Sequence, residues 1–236
     1  MSFEFTATST KEIFEKFLKS SLSSSFEKSL FLSRGEERTH KQKINAITEW
    51  YRSQRLVMIL GAGASASYGL PDWNTLLQKL LLITIKSDDD KDANDLEKAG
   101  VIARTFTYIF DPNPLISARY LNNYFKKKKP DSKLAFEGAI RDALYAGIKN
   151  DEDSDLLKEI RQFCVAAGKS PNLDSIITYN YDDLMEQCLR NIGVDIPFTP
   201  IHARGMKHEH HQLPIYHVHG YLPQKGQLTI KNKVVL

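Results

Sequence analysis

Leu56-Val57-Met58-Ile59-Leu60, followed at once by Gly61-Ala62-Gly63-Ala64-Ser65-Ala66, decides how this chain folds. Five consecutive apolar residues rich in strand formers suit a strand covered on both faces of a parallel sheet. Gly61, Gly63 and Ala66 then fit the G-x-G-x-x-G/A pattern, in which glycines let the backbone turn sharply. Its N–H groups, with a helix's positive end, come against a pyrophosphate. Helical spacing returns at Trp73, Leu76, Leu77, Leu80 and Leu81, so Leu56 to Leu82 reads as the strand, turn and helix that open a mononucleotide-binding fold. A tight strand-to-helix turn without any ligand is the alternative use of the same pattern. The acids that follow, Asp88 to Asp90, come after a helix instead of a second strand, which disfavours an ordinary dehydrogenase.

Upstream, Ile44, Ile47, Trp50 and Tyr51 fall on one side of a helix running from about His40 to Arg52. Earlier still, Ile13, Phe14, Phe17 and Leu18 keep helical spacing until Ser20, Ser21, Ser23, Ser24 and Ser25 break it. Residues 1–54 are therefore expected to form a helical N-terminal extension, and residues 55–236 the nucleotide-binding domain.

Downstream, acidic patches alternate with helical pieces such as Val101 to Phe110 and Leu134 to Ile148, and the basic run Lys126 to Lys129 reads as a solvated loop. This stretch is expected to be a mostly helical insertion. Ser175-Ile176-Ile177-Thr178 is then a strand, Asp183 to Arg190 a helix stopped near Gly193, and Ile215 to His219 a strand ending at Gly220. The alternation predicts an α/β fold: a Rossmann-like parallel sheet with helices on both faces, a helical insertion and the helical N-terminal extension. Val234-Val235-Leu236 is strand-like, and an apolar end of that kind is expected to continue in a longer fold, so the domain reads as truncated at its C-terminal end.

A chain of 236 residues with 42% hydrophobic content can bury one substantial core. A net charge of +3 nominates no nucleic-acid partner, because such binding needs a concentrated basic face. Cys164 and Cys188 cannot build a disulfide framework, and the N-terminus has no apolar segment of the kind that precedes signal cleavage, so a cytoplasmic protein is expected. Leu56 to Leu60 and Leu80 to Ile85 fall far short of the ~20 apolar residues needed to cross a bilayer, and no membrane partner is expected.

Three more motifs follow the glycine turn: Gly69-Leu70-Pro71-Asp72-Trp73, then Thr178-Tyr179-Asn180-Tyr181-Asp182, then His217-Val218-His219-Gly220. Taken singly, each has a plain use. Trp73 serves as a core-facing helix anchor, Asn180 and Asp182 turn the chain and cap the next helix, and an isolated histidine is structural. Together, and in this order, they resemble the sirtuin-like (silent information regulator two) domain, over about Leu56 to Leu236. The resemblance is to the zinc-free bacterial type found in anti-phage defence proteins that hydrolyse NAD. It implies NAD as substrate, with Gly61, Ala62, Gly63 and Ser65 on the phosphates and Pro71, Asp72 and Trp73 lining the nicotinamide-ribose pocket. Asn180 would order the ribose and a water, Asp182 would accept from the carboxamide, and His219 would be the general base, with His217 a pocket or core residue. Asn74 stands where sirtuins carry arginine, and the zinc-binding cysteine quartet of most sirtuins is absent, so no zinc is expected.

His208, His210, His211, His217 and His219 raise a metal site, since imidazole is a common zinc ligand, but neither cysteine lies in a C-x-x-C pair and the first three look like an exposed polar loop. No metal ligand is assigned. The expected activity is an NAD glycohydrolase (NAD+ hydrolase) that releases nicotinamide and ADP-ribose, in bacterial anti-phage defence by NAD depletion. A homo-oligomer or a defence-system partner protein is among the partners the resemblance implies. The alternatives are an NAD-dependent protein deacylase or ADP-ribosyltransferase, and a non-catalytic NAD or ADP-ribose sensor.

Overall fold

Leu56–Leu60 forms the strand expected of it, β1, because five apolar residues with two β-branched members favour extended backbone and the glycine after them ends it. In the computed structural model, which describes residues 34–86, 101, 108, 114–148, 154–164, 168–169, 172–190 and 196–235, it is joined by β2 (Leu173–Thr178), β3 (Phe198–Ile201) and β4 (Leu213–His217). Among the described residues these make a four-stranded sheet in the order β1-β2-β4-β3, parallel throughout. The helices are α1 (Arg34–Arg52), α2 (Trp73–Lys86), α3 (Pro114–Lys128), α4 (Ala135–Tyr145), α5 (Asp155–Arg161) and α6 (Leu184–Arg190). The fold is α/β and Rossmann-like: a parallel sheet with helices around it, a helical insertion between β1 and β2, and a helix ahead of the first strand.

The chain divides into two compact units. The first contains α1, the glycine turn as far as Ala64, α5, α6 and the whole sheet. Its core is built from Ile176 and Ile215 on the central strands, Leu157 and Ile160 of α5, and Leu189 of α6. α1 joins it through Tyr51, whose ring meets Phe163 edge-on at 5.4 Å and whose hydroxyl donates to the Phe163 carbonyl at 3.0 Å. Burial, reinforced by Cys164, pushes that phenol well above its usual range. Cys164 and Cys188 are buried and form no disulfide among the described residues, and burial pushes the Cys164 thiol up as well.

The second unit contains α2, α3 and α4, together with Tyr179–Asp183 and the chain from Val218. The three helices pack on one another through Leu76 and Leu80 of α2, Ala118 and Leu121 of α3, and Phe136 and Ile140 of α4.

Several expectations change. Among the described residues β1 lies at the edge of the sheet, and Val57 and Ile59 on one of its faces are 40% and 65% exposed, so those residues do not cover it on both faces. Trp50 is 49% exposed: the buried stripe of α1 runs through Ile44 and Tyr51, seven residues apart, and Trp50 falls beside it. Lys126, Lys127 and Lys128 close the last turn of α3, where cations complement the helix dipole, instead of lying in a loop. Toward the C-terminus the strand-like reading fails, since Ile230–Asn232 is a 3-10 turn and 233–235 is not a strand. Ile13 to Ser25, Asp88 to Asp90, most of Val101 to Phe110, Gly193 and Leu236 lie outside the described residues.

Candidate functional site

β1, β2 and β4 end level: Leu60 pairs with Thr178, and Thr178 with His217. The residues singled out above follow those ends in the chain, at 61–65, 179–183 and 218–220. The carboxyl edge of a parallel sheet is where open α/β folds take their ligands.

In the first unit, the Ala64 N–H donates to the Gly61 carbonyl at 2.9 Å and closes a 3-10 turn over Ala62–Ala64. Gly61, Ala62 and Gly63 are exposed. Among the described residues a Cβ at Gly61 or Gly63 would meet nothing within 4 Å, and neither glycine has a positive φ. The turn itself therefore does not require glycine at these positions; glycine leaves the main chain bare for something else to approach. The α-helix opens not directly after the turn but at Trp73, where the apolar spacing placed it. A second 3-10 turn, Ala66–Tyr68, comes between, and the chain reverses at Gly69 (φ 81°) before α2 starts at Trp73.

Also in the first unit, His217 Nε2 lies 2.6 Å from Glu186 Oε1, with both side chains fully buried. His217 is thus a core residue tied to α6. Glu186 Oε2 has no hydrogen-bond partner among the described residues.

The second unit gathers Ser65, Pro71, Asp72, Trp73, Asn180, Asp182 and His219. Ser65 is the hub. Its hydroxyl donates to Asp182 Oδ2 at 2.8 Å and accepts from Asn180 Nδ2 at 3.0 Å. Asp182 is only 7% exposed, so this carboxylate is held in a largely dry setting by a neutral donor. Asn180 and Asp182 do more than turn the chain.

Asp72 caps α2: its Oδ1 accepts the Thr75 N–H at 2.8 Å. Those hydrogen bonds to Thr75 hold its carboxyl below the ordinary value. Pro71, half-buried, leads into the cap. Trp73, the first residue of the helix, packs its ring 6.0 Å from that of Tyr181.

Asp183, which has no assigned role in the sequence, sits in a second buried network. Its Oδ1 accepts from the Tyr145 hydroxyl at 2.8 Å and from the Gln224 N–H at 3.1 Å, while its own N–H donates to the Tyr145 oxygen at 3.0 Å. The same hydroxyl is 2.8 Å from the Leu222 carbonyl, so its single proton serves one of two acceptors. Burial and the charges of Asp183 and Asp182 push the Tyr145 phenol far above its usual range, so it stays protonated. Nothing local in the sequence marks Tyr145, because its partners are 38 and 77 residues away.

His219 is half-buried, with the rings of Tyr179 and Tyr181 at 5.4 and 6.4 Å. Burial pushes the Tyr181 phenol up to about 12. The His219 carbonyl accepts the Val235 N–H at 2.8 Å. His208, His210 and His211 are exposed, and no group of three or more His, Cys, Asp or Glu is placed to hold a metal among the described residues. Among the described residues no helix is long and apolar enough to cross a membrane.

Among curated proteins, none matches the chain. The family described as SIR2-like domain matches residues 174–236, a span that takes in all of β2 but its first residue, with Asn180, Asp182, β4 and His219, and stops short of the glycine turn. SIR2-like domains bind NAD and are typically NAD-using enzymes, so the match supports a SIR2-like domain with an NAD-related function over this part of the chain.

Proposed function

We propose that this chain is an NAD glycohydrolase, cleaving NAD to nicotinamide and ADP-ribose. The observation that supports it most is the hydrogen-bonded set Asn180–Ser65–Asp182 in the same compact unit as His219, the last of these with no hydrogen-bond partner on either ring nitrogen among the described residues.

The chemistry asks for little acid catalysis. The C1′–N bond of the ribose breaks with its electron pair going to the pyridinium nitrogen, so nicotinamide leaves neutral and needs no proton. The enzyme must stabilise an oxocarbenium-like ribose and deliver water to C1′. In this proposal Asn180, steadied by Ser65, orders the ribose and the water, and Asp182 accepts from the carboxamide. His219 takes the proton of the attacking water and passes it to solvent. The bare backbone of Gly61, Ala62 and Gly63 takes the phosphates. Pro71 and Trp73 line the pocket, and Asp72 holds the start of α2 in place. With only Cys164 and Cys188 there is no cysteine quartet, and we assign no zinc. NAD depletion in a bacterial cytoplasm, as anti-phage defence, is the setting we propose, on the resemblance of the motifs to zinc-free proteins of that type.

The test is nicotinamide release from NAD, followed by chromatography, for the chain and for Asn180→Ala and His219→Ala, with no acyl peptide present. Release by the unmodified chain alone supports hydrolysis and both residue roles. Release only when an acylated protein is added points to deacylation, and NAD binding by calorimetry without turnover points to a sensor.

A further inference from the structure

His219 is held in two ways. Its main chain is fixed by the Val235 N–H on its carbonyl and by Gly220, which at φ 118° lies so close to Val234 that an added Cβ would stand 3.0 Å from Val234 Cα. Its ring is held differently. The Tyr179 and Tyr181 rings lie 5.4 and 6.4 Å away, tilted by 51° and 50°, at distances where aromatic pairs attract beyond the area they bury. Trp73 backs Tyr181 at 6.0 Å, and all four rings belong to one compact unit.

A hydrogen bond is what this arrangement lacks. A histidine that acts as a base is ordinarily oriented by a second group bonded to its far nitrogen. His217 has such a partner in Glu186 at 2.6 Å, whereas neither ring nitrogen of His219 has one among the described residues.

We infer that Tyr179 and Tyr181 are positioning residues for His219. Ring packing, with Trp73 behind it, sets the plane of the imidazole where a carboxylate would otherwise set it, and leaves both nitrogens available. The inference rests on His219 being the base in NAD hydrolysis. Tyr179 is 49% exposed, so its ring adds little to the core and its removal acts on His219 more than on the fold.

Two readouts test this on the full chain: the kinetics of nicotinamide release, and proton–carbon correlation spectra of the histidine rings, with the His219 signal assigned from His219→Gln. Tyr179→Ala and Tyr181→Leu are expected to lower kcat on the order of tenfold to a hundredfold through misplacement of the base, with KM nearly unchanged. Tyr179→Phe keeps the ring and restores kcat. In Tyr179→Ala, but not in Tyr179→Phe, the His219 signal moves toward those of the exposed His208 and His210. Wild-type kcat in Tyr179→Ala, or equal losses in the alanine and phenylalanine variants, overturns the inference. If the unmodified chain releases no nicotinamide, the hydrolase reading fails and the spectra alone decide. A His219 signal that stays put in Tyr179→Ala then overturns the ring packing, and one that moves upholds it.

Discussion

Ser65 Oγ donates to Asp182 Oδ2 at 2.8 Å, and because that proton is committed, the oxygen is left to accept from Asn180. One small side chain so sets the direction of two others. Ser65→Ala is expected to remove a donor from Asp182 in a nearly dry position, at about 1–3 kcal/mol of stability in urea unfolding, and to lower nicotinamide release by loosening Asn180. Ser65→Thr keeps the hydroxyl and retains more of both. An unfolding midpoint for Ser65→Ala equal to that of the parent chain would show that the bond carries no weight.

Asp72 separates capping from charge. Asp72→Ala removes the cap on α2 and is expected to cost about 1 kcal/mol, whereas Asp72→Asn keeps the cap and should cost far less. Since the hydrogen bonds to Thr75 depress the Asp72 carboxyl, its contribution is present above the ordinary carboxylate value and is lost as pH falls through the lower folded-state value. The stability gap between the parent chain and Asp72→Ala should therefore narrow in acid and stay constant from pH 6 to 8. A gap independent of pH down to unfolding would remove the carboxylate from the account.

Tyr145→Phe keeps the ring and deletes a hydroxyl that serves Asp183 and Leu222. Losing the hydrogen bonds that this hydroxyl makes to the Asp183 N–H and to one buried acceptor is expected to destabilise the protein by about 1–3 kcal/mol. Hydrogen exchange should locate the effect, with the Asp183 amide losing protection while amides in the middle of α4 keep theirs.

Gly220 is a glycine that the backbone requires. At φ 118°, with Val234 Cα and Lys233 O only 3.0 and 3.2 Å from an added Cβ, Gly220→Ala combines strain with a backbone clash. A loss of about 1–3 kcal/mol is expected for the strained φ alone. Because the residue after the displaced Val234 is the one whose N–H bonds the His219 carbonyl, NAD turnover should fall further than stability predicts, which thermal melts run beside the release assay will decide.

The central strands were legible because apolar runs ending in glycine or polar turns leave few alternatives, and β1 has the ends its sequence suggests. β3 was not, since Phe198–Ile201 contains Pro200, follows Pro197 and is half-exposed at the edge of the sheet, where the apolar signal is weak. The apolar Val234 suggested a strand for a related reason. It is buried and lies close against Gly220, and burial alone does not distinguish a strand from a loop pressed into place.

At the candidate site, the motifs brought Asn180, Asp182 and His219 to notice but not what holds them. Ser65 reaches its partners across 115 and 117 residues, and Tyr145 reaches Asp183 across 38, so these links exist only in the folded chain. The tyrosines at 179 and 181 stood in view as the variable letters of a motif, where sequence spacing attaches no chemistry to them.

The open space around Gly61 and Gly63 divides the glycines of this protein by what removing them does to an empty molecule. Alanine at Gly220 should lower the melting temperature, whereas alanine at Gly61 or Gly63, meeting nothing within 4 Å at an ordinary φ, should raise the stability of the unliganded chain by about 0.4–1 kcal/mol through a less disordered unfolded state. Adding NAD should reverse the order, stabilising the parent chain and not the alanine variants. Two residues on which the unliganded fold makes no demand would then report occupancy alone, and a pair of melting curves would tell a ligand's requirement from the fold's.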